Sequence, residues 1–164
     1  MAVIESDEGG HLDEFESASR TGGVFYSEDQ GEHWVRRSAH TPRPFYFSQI
    51  RVQPSDSTRI YLLGTDLWIS DDGGRTFRAN GARNLHPDCH AMWIHPTNGD
   101  QVLLGTDGGI YLSHDRAANW DFINNLATGE FYNVTADNRD PYWIYGGLQD
   151  NQTWGGPRRT RFEV

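Results

Sequence analysis

The sequence predicts an all-β chain of repeated four-stranded units, and three observations carry that prediction. An octet recurs: SEDQGEHW starts at Ser27, SDDGGRTF at Ser70 and SHDRAANW at Ser113, 43 residues apart each time. A glycine that closes an apolar run has its own period, with Gly64, Gly105 and Gly146 spaced 41 apart. No run of apolar residues at three-and-four spacing lasts long enough to make a helix. A unit of about 40 to 45 residues holding four short strands is the size of a β-propeller blade.

Each element follows from local chemistry. RIYLLGTDLWIS leads into Ser70, QVLLGTDGGIYLS into Ser113 and GGVFYS into Ser27; YWIYGGLQD is a further copy and VIESDEGG a trace of one. Turn residues in VQPSDSTR, IHPTNGDQ and ADNRDPY precede these runs. Short apolar stretches bounded by Gly, Pro, Asn and Asp read as strands. In one unit the four strands are CHAMWI, QVLLG, IYLS and WDFI. The repeat units fall near 1–44, 45–86, 87–130 and 131–164, within one partial propeller domain spanning 1–164. Propellers close with about 4 to 8 blades, so three full units are expected to form part of a larger ring. Open blade edges should then seek the remaining blades or a second copy.

The octet reads as a clasp. Serine and aspartate side chains accept hydrogen bonds from the N–H groups of a tight turn, glycine supplies positive φ, and the aromatic buries itself beneath the hairpin. The pattern Ser-x-Asp-x-Gly-x-Thr-Trp/Phe resembles the Asp-box (BNR repeat) of sialidases, xyloglucanases and sortilins. Ser27, Asp29, Gly31 and Trp34 match it, as do Ser70, Asp72, Gly74, Thr76 and Phe77. The third copy keeps Ser113, Asp115 and Trp120 but carries Ala117 in place of glycine, which predicts an altered turn. The stretch from Asp88 to Gly156 is similar to sortilin-like propellers of large bacterial secreted proteins that are often labelled glycosyl hydrolases. That resemblance implies structural Asp-boxes on the face away from the ligand, a glycan or peptide ligand at the channel face, and an extracellular or periplasmic location.

Composition excludes several classes. A net charge of -9 argues against a nucleic-acid partner. All 14 basic residues are arginine, and Arg158, Arg159 and Arg161 read as a solvated segment. The single Cys89 leaves no internal disulfide. Neither a signal peptide nor an apolar run of membrane-spanning length is present. Serine-elbow, phosphate-loop and dinucleotide motifs are missing.

Three constellations carry possible chemistry. His86, Asp88 and His90 alternate in HPDCH and would share one face of an extended segment, suiting a divalent metal as cofactor. Asp7, Asp66, Asp107 and Asp150 follow the second strand of successive repeats. They read as turn formers, or, for Asp107 and Asp150, as the catalytic carboxylates of a glycosidase. Tyr132 and Trp154, with Gln149 and Asn151, suit a sugar, whose ring has an apolar face and a polar rim. Trp93 and Trp143, inside apolar strands, are expected in the core between blades. Two functions follow: a carbohydrate- or peptide-binding module, or a xyloglucanase-type glycoside hydrolase with part of its active site elsewhere.

Overall fold

The computed structural model describes residues 2–4, 22–42, 48–80, 84–123, 125 and 129–159. Asp7 and Arg161 lie outside them. Fourteen strands and no helix occur among the described residues. The chain divides into two compact units, Met1–Asn124 and Asn125–Val164, where the repeat reading treats 1–164 as one domain.

Unit 1 contains three antiparallel sheets, one per repeat. The first joins β1 (Ala2–Ile4), β2 (Gly23–Tyr26) and β3 (Val35–Ser38) in that order. The second runs β4 (Gln49–Gln53), β5 (Asp56–Leu63), β6 (Leu67–Ser70), β7 (Arg78–Ala79). The third runs β8 (Cys89–Ile94), β9 (Val102–Thr106), β10 (Gly109–Ser113), β11 (Asp121–Phe122). Consecutive strands pair in every case, giving the up-and-down order of a propeller blade. Unit 2 is one sheet of β12 (Phe131–Ala136), β13 (Trp143–Leu148) and β14 (Thr153–Pro157).

Packing within unit 1 is sheet on sheet. Tyr61, Leu63, Leu67 and Ile69 of the second sheet meet Cys89, Met92, Ile94, Val102, Leu104 and Tyr111 of the third in one apolar cluster. Strand β5 is buried on both faces from Arg59 to Leu63, so its apolar run does not alternate. Burial raises the Cys89 thiol to about 12, which makes it an inert core residue. Trp93 departs from expectation. Cys89, Met92 and Ile94 take the inward positions of β8, so Trp93 points outward and is 48% exposed, edge-on to His95.

The three octets close their hairpins with one set of bonds. Ser27, Ser70 and Ser113 each donate from Oγ to Oδ1 of the aspartate two residues on, at 2.8, 2.8 and 2.9 Å. Each serine Oγ also accepts the backbone N–H four residues on, of Gly31, Gly74 or Ala117, at 2.8 to 2.9 Å. Oδ1 then accepts a further N–H, from His33, Thr76 or Asn119. A side chain at that same position bonds Oδ2: His33 Nδ1 at 2.5 Å, Thr76 Oγ1 at 2.6 Å and Asn119 Nδ2 at 2.7 Å.

These donors depress the carboxyls. Asp29 falls to about 2, chiefly through the His33 N–H; Asp72 and Asp115 shift the same way, chiefly through the side chains of Thr76 and Asn119. The third turn keeps its geometry without glycine: Arg116 and Ala117 take φ of 60° and 68°. The serine and aspartate bonds hold a left-handed pair that costs non-glycine residues about 1 to 2 kcal/mol each. The aromatics differ from expectation as well. Trp120 packs on the core and Phe77 is half-buried against His40, whereas Trp34 is 43% exposed and folds back to donate to the Gly31 carbonyl.

Candidate functional site

At the opposite end of β10 from its clasp, the third sheet gathers three polar side chains. The segment entering β8 is stitched to neighbouring turns: the Asp88 N–H donates to Thr65 O at 2.9 Å and the Cys89 N–H to Gly64 O at 2.8 Å. The Asp107 N–H in the β9–β10 turn donates to Asp88 O at 3.2 Å. Carboxylate oxygens of Asp88 and Asp107 come within 4.8 Å of each other. His90 Nε2 lies 2.7 Å from Asp107 Oδ1, with the imidazole 44% and the carboxylate 27% exposed.

A bulge produces this arrangement. Cys89 pairs with Thr106 and Ala91 with Gly105, so His90 is the extra residue, and a bulge re-aims the side chain it carries. Gly108 is required beside it, because a Cβ there would stand 2.4 Å from the His86 Cβ. His86 itself donates its N–H to Tyr111 Oη at 3.2 Å and holds Nδ1 3.0 Å from Pro87 O.

The proposed metal set His86, Asp88 and His90 does not share a strand face. Strand β8 begins only at Cys89, and Asp88 is left-handed with φ of 61°, so the alternation expected of an extended segment never starts. Ligand atoms of these three are not gathered within 4.8 Å of one another. What comes together in unit 1 is Asp88, Asp107 and His90. Asp107 is the shared member, meeting His90 and coming near Asp88, and such a set can hold vicinal hydroxyls or act as an acid–base pair.

No family model matches this chain, and no curated protein does. Solved structures give distant likenesses. The GH74 xyloglucanase from Xanthomonas campestris aligns with 83% of this chain at 19% identity and a TM-score of 0.49. An ancestral GH74 enzyme aligns with 61% at 13% identity and a TM-score of 0.45. The chain spans only 20% and 13% of those two proteins' lengths.

Unit 2 places the other predicted residues. Gln149, Asp150 and Asn151 form the β13–β14 turn, in which Asp150 and Gln152 take φ of 53° and 68°. The Gln149 N–H donates to Glu130 O at 3.0 Å, Asn151 Nδ2 to Gln149 O at 2.8 Å, and Trp154 Nε1 to Asn151 O at 3.2 Å. Trp154 is therefore oriented by its own turn while remaining 63% exposed. Its β13 partner is Gly146, whose missing side chain leaves room for the Phe131 ring; a Cβ there would stand 2.3 Å from Phe131 Cδ1. Phe131, 49% exposed, and Trp154 thus share one face of the sheet.

Tyr132 is the bulged residue between Phe131 and Asn133 and is 68% exposed. Trp143 is half-buried, stacked with Tyr145 and covered by the Arg139 guanidinium 4.7 Å from its ring. The sequence reading misses Phe131 and the bulges at His90 and Tyr132. Apolar spacing does not signal these bulges, because CHAMWI also carries Ala91 and Trp93 and FYNVTA also carries Tyr132.

Proposed function

We propose that this chain is a carbohydrate-binding propeller module, with its octets serving as Asp-boxes, acting outside the cytoplasm. The observation that carries this reading is the exposed Trp154–Phe131 face, set beside a turn bearing Gln149 and Asn151. Burying an aromatic in water-free surroundings is favourable, so two such rings held outward on one face call for an apolar partner. A pyranose ring supplies one, and its hydroxyl rim suits the amides and the Tyr132 hydroxyl. The ligand class favoured is a neutral oligosaccharide.

A second reading rests on Asp88 and Asp107. Retaining glycosidases hold two carboxyl groups close together, about 5 to 5.5 Å apart, and oxygens of this pair come within 4.8 Å, with His90 on Asp107. In this reading the whole protein is a glycoside hydrolase, with Asp107 kept from the sequence-based pair and Asp88 taking the part first given to Asp150. Binding and hydrolysis are measured on one panel of neutral oligosaccharides, by calorimetry and by reducing ends released. The binding module predicts affinity lost on Trp154→Ala and no release. Release abolished by Asp107→Asn supports the hydrolase, and folded protein that binds no glycan contradicts both.

A further inference from the structure

At the clasp end of unit 1, between the second and third sheets, lies a cleft of about 520 Å³ lined by Arg59, Asp71, Arg78, Asn80, Asp115 and Arg116. Its carboxylates are already engaged. Asp115 accepts from Ser113, Ala118 and Asn119 within its own clasp, and Asp71 accepts from Arg59 and Arg78. Arg59 is buried, with its side chain 7% exposed, and is tied to Tyr61 Oη, Asp71 and the Arg116 carbonyl.

Two guanidiniums retain donors. Arg116 bonds Asp56 Oδ2 through one terminal nitrogen at 3.0 Å, while its Nε is buried and has no partner. Arg78 touches only Asp71, at 3.4 Å, among the described residues. A buried charged N–H without an acceptor is costly. Around the cleft three guanidiniums meet three carboxylates, Asp71 and Asp115 in the lining and Asp56 on Arg116. The unused capacity of Arg116 and Arg78 is of donor type, and the guanidinium fork matches the oxygens of a planar or tetrahedral anion.

We propose that this cleft binds a small oxyanion, a carboxylate or phosphate group, between Arg116 and Arg78. The left-handed Arg116–Ala117 turn sets the donor: the Arg116 backbone N–H is fixed on Asp100 O of its own sheet's β8–β9 turn at 3.0 Å, while its side chain reaches Asp56 of the second sheet. Arg116 and Ala117 stand where the second clasp has Gly73 and Gly74, so the strained pair carries a side chain that glycine cannot.

The test follows arginine Nε–H resonances while inorganic phosphate, and in a separate series acetate, is added at constant ionic strength set with sodium chloride. A saturable shift of the Arg116 Nε–H is expected. It should vanish in Arg116→Gln and saturate at about tenfold higher concentration in Arg78→Gln, the loss of one charge-assisted hydrogen bond. Saturation by phosphate alone assigns a phosphate ligand, and saturation by acetate alone a carboxylate. Arg116→Gln also removes the Asp56 contact, so its fold is checked from the rest of the spectrum. Arg78→Gln, altering a side chain 59% exposed, keeps the test decisive if that variant unfolds. The absence of saturation with either anion, or unchanged affinity in folded Arg78→Gln protein, overturns the proposal.

Discussion

The two ends of β10 use aspartate in opposite ways. At the clasp, Asp115 has both oxygens engaged by donors from its own turn, and the same bonds recur around Asp29 and Asp72. At the other end, Asp107 faces Asp88 and meets His90, which a bulge has turned outward. The clasp bonds close the chain on itself in all three copies, whereas the bulge at His90 turns an imidazole onto Asp107; in unit 2 a bulge falls at Tyr132, which is 68% exposed.

Ser70→Ala should break the clasp side of this comparison most. The hydroxyl is buried at 1% exposure and accepts the Gly74 N–H, so its loss leaves a buried donor unpaired at a cost of about 2 kcal/mol. Chemical denaturation reads this as a lowered midpoint. Asp72→Ala should cost about 1 kcal/mol, less because solvent replaces part of what the carboxylate accepts. Asp115→Ala should match Asp72→Ala, since the third clasp keeps the four bonds shared by all copies despite Ala117. A clearly smaller loss would show that the third turn is the weaker one, as its missing glycine predicts from sequence.

Acid sharpens the same comparison. The clasp carboxyls are depressed in the folded chain, Asp29 to about 2. Their contribution is therefore full above the unfolded value of about 4 and is lost as pH falls toward 2. Asp72→Asn should flatten the fall in melting temperature across that window, whereas an unchanged slope would remove the clasps as its source. The smallest effect expected is a gain. Gln30 is exposed with φ of 61° at the position Gly73 fills in the second clasp, so Gln30→Gly should raise stability by about 0.5 to 1 kcal/mol.

Sequence carried the fold because the clasp is local: serine, aspartate and their donors lie within six residues, so a 43-residue period exposes every copy. Strands CHAMWI, QVLLG, IYLS and WDFI became β8 to β11 with shifts of a residue or two. The site was less legible, since His86, Asp88 and His90 were placed by assuming an extended strand. A left-handed Asp88 and a bulge at His90 depend on pairing with Thr65 and Thr106, residues distant in sequence. Phe131 is not legible because the room for its ring is lent by Gly146, 15 positions away.

The most direct test of the central claim is calorimetric titration of a neutral oligosaccharide into wild-type protein and into Trp154→Ala, with Trp93→Ala, 48% exposed, as an aromatic control outside the proposed face. The account predicts that Trp154→Ala weakens binding by about thirtyfold or more, the loss of roughly 2 kcal/mol that a central aromatic contact carries, while Trp93→Ala binds as wild type. Equal affinity in Trp154→Ala and wild type, or a loss confined to Trp93→Ala, would contradict it.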